Sequence, residues 1–117
     1  MSLQLTRPAS VMWPVPNLDA AIAFYTESAG CELSFSDGER YAALKAGGTT
    51  VHLVSGPEDI TEGNPALTLR VDDVAAAVAT LRTAGATVVT EPTAGPHEIR
   101  AVLRDPNGQW LVVHSPL

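Results

Sequence analysis

The sequence predicts an α+β fold built from one β-α-β-β-β unit used twice. Three observations carry this. The order strand, helix, then three strands is legible in the first half and returns in the second. The helix-opening stretches VPNLDAAIAFY, from Val15, and VDDVAAAVATL, from Val71, superpose. The turn-plus-strand GTTVHLVSG is answered by GQWLVVHSP, and Ala29-Gly30 by Ala84-Gly85.

ASVMWPV, Ala9 to Val15, reads as a short or edge strand because Pro14 cannot donate to a ladder. Asn17 stands at a helix N-cap, and Asp19 suits the positive end of the helix dipole. In LDAAIAFYTESAG, Leu18, Ile22 and Tyr25 recur at helical spacing, with Ala21 and Phe24 widening the apolar stripe. Gly30 ends this helix. CELSF is a strand, SDGER a turn, YAALKA a strand, Gly47-Gly48 a second turn and TTVHLVS another strand. PALTLRV opens the second half. Asp73 caps VAAAVATLRTAG, in which Val74, Val78 and Leu81 share a face and Gly85 is the stop. ATVVT is a strand, and EPTAGPHE, rich in Pro and Gly, is expected to be a loop. IRAVLR, the turn DPNG and the strand QWLVVHS finish the chain.

The chain has 117 residues, 45% of them hydrophobic, which suits one ordinary core-forming domain. No stretch approaches the ~18 apolar residues of a membrane span. MSLQLTRPAS lacks the basic and apolar regions of a secretory signal, so the cytoplasm is the expected location. Thirteen acidic residues face seven basic ones, a formal charge of -6, and no basic run occurs. That balance argues against nucleic acid, whose phosphates need neutralising. Cys31 is the only cysteine, so neither an intrachain disulfide nor a thiolate metal cluster is available. Neither a P-loop, a G-x-G-x-x-G, an H-E-x-x-H nor a nucleophile elbow is present.

VPNLDAAIAFYTESAG, VDDVAAAVATLRTAGATV and RDPNGQWLVV, in this order and spacing, resemble the vicinal oxygen chelate superfamily of glyoxalases, bleomycin-resistance proteins and dihydroxybiphenyl dioxygenases. The resemblance runs from about Ser10 to Pro116. It implies a single domain over residues 1–117, with modules 8–55 and 66–116 joined by a linker at 56–65. It further implies a curved mixed sheet with helices on its outer face and a ligand cleft inside, and a homodimer.

The resemblance also places metal ligands at matching strand positions. These are Ser10, His52, Ala66 and Val112 in this chain. Alanine and valine offer no lone pair and serine is a poor ligand, so neither a family-type metal nor another cofactor is expected. The nearest type is then the metal-lacking, bleomycin-resistance-like member.

Strand alternation extends these positions to a face carrying Met12, Thr68 and Arg70 on the first strands of the modules, and Thr50, Val54, Trp110 and His114 on the last. Trp13 should face the helix. Tyr41, Glu39 or Arg40 would close a rim. The candidate ligand-binding residues are therefore Trp110, His52, His114, Met12, Thr68, Arg70 and Tyr41. Trp110 suits a planar ligand or plain core packing, and the sequence leaves both open. His97 would gate the cleft or sit in solvent. Cys31 reads as a core residue, and the aspartates of RVDD and LRDP as cap and turn residues.

The expected function is non-enzymatic binding of a small aromatic molecule, neutral or cationic, in a dimer cleft, as in antibiotic-sequestering resistance proteins. The alternative is a glyoxalase-like lyase, isomerase or epimerase with an atypical or absent metal site. There His52 would be the general base, since imidazole ordinarily titrates near ~6.5, and Arg70 would hold a carboxylate or oxyanion.

Overall fold

The computed structural model describes residues 2–117. The chain divides into two units, Ser10–Pro65 and Ala66–Leu117, the N-terminal segment up to Ala9 belonging with the latter. Each unit has the expected order of one strand, one helix and three strands.

In the first unit β1 is Ser10–Pro14, α1 Leu18–Glu27, β2 Glu32–Asp37, β3 Tyr41–Ala46 and β4 Thr49–Val54. The strands lie in the order β2-β3-β4-β1. β1 runs parallel to β4; the two hairpins β2–β3 and β3–β4 are antiparallel. Helix α1 starts where Asn17 accepts a hydrogen bond from the Ala20 N–H at 3.0 Å. It stops because Gly30, at φ +80°, turns the chain so that the Cys31 N–H reaches the Tyr25 carbonyl. Its inner side buries Leu18 and packs Ala21, Ile22 and Tyr25 against Ala42, Leu44 and Leu53 of the sheet, with Cys31 at the margin of this core. Phe24 departs from expectation. It is 60% exposed and lies outside the stripe, edge-on to Tyr25. Trp13 does turn to the helix side, donating its indole N–H to the Tyr25 hydroxyl at 3.2 Å.

In the second unit β5 is Ala66–Arg70, α2 Val74–Thr83, β6 Thr87–Ala94, β7 Glu98–Arg104 and β8 Trp110–Pro116. The strand order is β5-β8-β7-β6, with β5 parallel to β8. Asp73 caps α2 by accepting from the Ala76 N–H. Val74, Ala77 and Val78 pack on Ala101, Leu103 and Val113, with Leu3 of the N-terminal segment joining the margin of this core. That segment is further tied down by the Thr6 N–H, which donates to the Arg70 carbonyl at 2.9 Å.

One segment corrects the sequence expectation. EPTAGPHE is mostly strand: β6 continues through Ala94 and β7 begins at Glu98, leaving Gly95–His97 as a hairpin tip. Register shifts between Val88 and Thr90 and between Thr90 and Thr93 accommodate Pro92, which blurs the period-two pattern. The linker stretch, 56–65, carries local structure of its own. Gly56–Glu58 forms a 3-10 turn, and the Asp59 carboxylate accepts from the Thr61 and Gly63 N–H groups. Fully buried Thr61 donates to the Asn64 carbonyl.

Because each helix covers one side of its sheet, strand alternation leaves a second, helix-free face in each unit. The register on those faces positions the candidate site residues.

Candidate functional site

On the helix-free face of the first unit, His52 sits at the middle rung. Met12 is its partner on β1 and Ala43 its partner on β3. Ser10 and Tyr41 lie two residues away along those strands, so they share the face and reach the ring diagonally. Ser10 Oγ is 2.9 Å from His52 Nε2, and Tyr41 Oη is 2.7 Å from Nδ1. The two rings also stack, with centroids 5.9 Å apart and planes at 25°. Phe35 flanks Tyr41 at 6.1 Å.

Both ring nitrogens of His52 are thus held by hydroxyls. A neutral imidazole has one N–H donor and one lone-pair acceptor, whereas a hydroxyl serves as either. The Ser10–His52–Tyr41 chain is therefore satisfied in either tautomer, each hydroxyl turning to donate or accept according to which ring nitrogen carries the proton. Such an arrangement fixes the ring plane while leaving the proton's position adaptable, which suits a group that takes and returns a proton.

The sequence reading singled out His52 and Tyr41, with Tyr41 only as a rim residue. Ser10 entered as a weak metal ligand, and its bond to His52 was missed. Phe35 was missed altogether. A bulge between Leu33 and Phe35 reverses the parity of β2 and brings Phe35 opposite Ala43 on the His52 face. The β2 sequence carries no mark of that bulge.

On the helix-free face of the second unit, the middle rung is apolar: Thr68 pairs with Val112, and Val112 with Val102. The chemistry lies on the rungs either side. Ala66, Trp110 and Arg104 form one. Arg70, His114 and Arg100 form the other. The Arg104 guanidinium lies 5.6 Å over the Trp110 ring, held there by its Nε–H bond to the Gly108 carbonyl. The Trp110 platform therefore already carries a cation, which works against the expected cationic ligand. Trp110 itself is only partly buried.

His114 Nδ1 is 3.7 Å from the Glu98 carboxylate, which also stands 4.0 Å from Arg100. Burial pushes the His114 pKa below its ordinary value of 6.5; Glu98 opposes this, while Arg70 and Arg7 add to it. Among the described residues, no carboxylate forms an ion pair with Arg70. His97 is exposed at the β6–β7 tip. Glu39 and Arg40 are exposed in the β2–β3 turn.

The four positions that would hold a family-type metal are Ser10 and His52 in one unit and Ala66 and Val112 in the other. Their donor set does not fit a metal. Two side chains have no lone pair to give and the Ser10 hydroxyl is a poor ligand, which leaves His52 as the one good donor of the four. Among the described residues, no three His, Cys, Asp or Glu side chains gather in a group able to hold a metal ion.

The model of the Glyoxalase/Bleomycin resistance protein/Dioxygenase superfamily matches residues 7–113, and the chain belongs to that superfamily. An uncharacterised protein of Mycolicibacterium smegmatis is 36% identical over 107 residues, covering 92% of this chain and 91% of that one. Among solved structures, an NAD-dependent benzaldehyde dehydrogenase from Legionella pneumophila superposes with a TM-score of 0.79 at 18% identity, over 94% of this chain and all of that one. Methylmalonyl-CoA epimerase from Mycobacterium tuberculosis superposes with a TM-score of 0.72 at 22% identity, over 100% and 92%.

At such identities these likenesses carry the fold. The proteins they name are nonetheless enzymes, and this overturns the expectation of a non-enzymatic, antibiotic-sequestering binder. Among the described residues, no helix is long and apolar enough to cross a membrane.

Proposed function

We propose that this chain is an enzyme of the isomerase, epimerase or lyase type that moves a proton at a carbon beside a carbonyl, with His52 as its acid–base group. The observation that supports this most is the imidazole held between two hydroxyls, Ser10 at Nε2 and Tyr41 at Nδ1. The epimerase name borne by one of the similar structures points the same way. The dehydrogenase name is not adopted, because the sequence has no G-x-G-x-x-G segment for a dinucleotide.

In the step envisaged, the substrate displaces the Ser10 hydroxyl from Nε2. The carbon–hydrogen bond breaks, a bond from that proton to Nε2 forms, and the electron pair moves into the carbonyl as an enolate. Tyr41 meanwhile accepts from Nδ1–H and steadies the cationic ring. Returning the proton completes an isomerisation, and loss of a neighbouring group completes an elimination. Of the finer sequence expectations, the absence of a family-type metal is kept, because the donor set does not fit one. A small-molecule substrate, a second copy of this chain and the cytoplasm are the partner, assembly and place that go with this activity; sedimentation velocity tests the dimer.

The activity is tested by incubating the protein in D2O with a panel of 2-oxo acids, 2-hydroxy ketones and branched acyl thioesters, and following loss of the α-proton by NMR. Exchange on at least one class is expected. His52→Gln should slow it about 10²–10⁴-fold with the fold intact. An inert panel, or exchange indifferent to His52→Gln, overturns the assignment.

A further inference from the structure

We propose that the rung Arg70–His114–Arg100, on the helix-free face of the second unit, is a binding site for a small oxyanion, a carboxylate or a phosphate. The three side chains occupy directly paired positions on adjacent strands, β5, β8 and β7. Neighbouring strands lie ~4.8 Å apart, so the three side chains leave the sheet in a short row on one face. Thr93 continues the rung on β6 with a hydroxyl.

Among the described residues, the charges of this row are matched only in part. Glu98 is the acid beside it, and its carboxylate stands 3.7 Å from His114 and 4.0 Å from Arg100, beyond hydrogen-bond reach of both. Arg70 has no acidic partner among the described residues. Arg7 adds a further positive charge close enough to act on His114. The Arg100 and His114 side chains are only 28% and 20% exposed. Half-buried guanidinium groups lose hydration and regain it best from an anion that accepts their forked N–H donors, as carboxylates and phosphates do. Glu98 supplies one negative charge against the guanidinium groups of Arg70 and Arg100, with Arg7 also close by, so the row keeps a positive charge that a carboxylate or a phosphate complements.

The positive row also runs against the chain's acidity. The first unit holds eight acidic residues against Arg40 and Lys45. The second holds five of each sign, so the whole formal charge of -6 resides on Ser10–Pro65. An anion therefore meets its favourable field on the second unit.

Calorimetric titration of the full chain at low ionic strength, with inorganic phosphate and with malonate in separate arms, tests the site; chloride serves as the ionic-strength control. Saturable binding of one or both is expected, and which of them binds identifies the oxyanion. The ring resonances of His114 should move as the site fills. Arg70→Gln and Arg100→Gln should each weaken binding about tenfold or more. Glu98→Gln should tighten it, because a competing carboxylate is removed. Arg82→Gln should change nothing, since that guanidinium is exposed and paired with Glu91. No saturable binding of either anion up to about 10 mM, or binding that Arg70→Gln leaves untouched, overturns the site. The readout is binding, so it is decided separately from whether His52 supports turnover.

Discussion

The two units share one topology and one pattern of buried residues, yet they place their polar groups on different rungs. Their cores correspond position by position: Ala42 with Ala101, Leu44 with Leu103, Leu53 with Val113, all buried under the helix of their own unit. On the opposite faces the correspondence breaks. The middle rung reads Met12–His52–Ala43 in the first unit and Thr68–Val112–Val102 in the second. The rung holding Arg70, His114 and Arg100 in the second unit reads Pro14, Val54 and Tyr41 in the first. One correspondence does survive there. Lys45 reaches over to Thr50 on β4, as Arg104 reaches over Trp110 on β8. The duplicated architecture thus constrains the helix side, where packing decides. The helix-free side is left to chemistry, and it has become an imidazole–hydroxyl relay in one unit and a guanidinium row in the other.

The largest effects should test the shared part. Leu44→Ala and Leu103→Ala each empty a fully buried leucine site and should cost about 2–5 kcal/mol, with the two costs close to each other, as read from urea unfolding. If one were near zero, that unit would lack the tight packing the other has, and the equivalence of the two cores would fail.

Next come exchanges of the middle rung. His52→Val gives the first unit the residue of the second. It should abolish α-proton exchange and cost about 1–3 kcal/mol, because Ser10 and Tyr41 each lose a hydrogen-bond partner. Val112→His, the reverse exchange, buries an imidazole where the neighbours on the rung are Thr68 and Val102. It should also cost about 1–3 kcal/mol, without creating exchange activity. A gain of activity in Val112→His would mean that the hydroxyl partners matter less than the ring itself.

Smaller still is the covering of Trp110. Arg104→Gln removes the cation over the indole and should cost about 0.5–1 kcal/mol. On a Trp13→Phe background it should change the emission of Trp110. Unchanged emission would mean that the guanidinium does not rest on the ring in solution.

How much of this was legible beforehand differs between the two faces. Helix caps at Asn17 and Asp73 and the stop at Gly30 were readable because each is a local side-chain or backbone requirement. The parity that puts His52, Trp110 and His114 opposite the helices was readable because β4 and β8 run without register shifts. Parity failed where bulges intervene, in β2 before Phe35 and along β6 through Pro92. Phe24 was read into the helix stripe because periodicity marks an apolar residue without measuring what stands opposite it. The pairing of Ser10 with His52, and of Glu98 with His114, depends on strand register, and neither residue of a pair advertises the other.

The smallest effect tests the guanidinium row through acidity. The His114 pKa lies below 6.5 chiefly because the ring is partly buried; Glu98 raises it, and Arg70 and Arg7 lower it. Between the native pKa and 6.5 the unfolded chain then holds more proton on this residue than the folded one, so stability rises with pH across that window. It is fully present above 6.5 and is lost as pH falls towards the native pKa. Arg70→Gln should move the His114 midpoint up and narrow the window. Glu98→Gln should move it down and widen it. His114→Gln should remove its share of the acid-side slope. The check is a ring-proton NMR titration of His114 in each variant, with unfolding measured from pH 7 downward. If Arg70→Gln and Glu98→Gln shift His114 in the same direction, the row does not act on it as one electrostatic group.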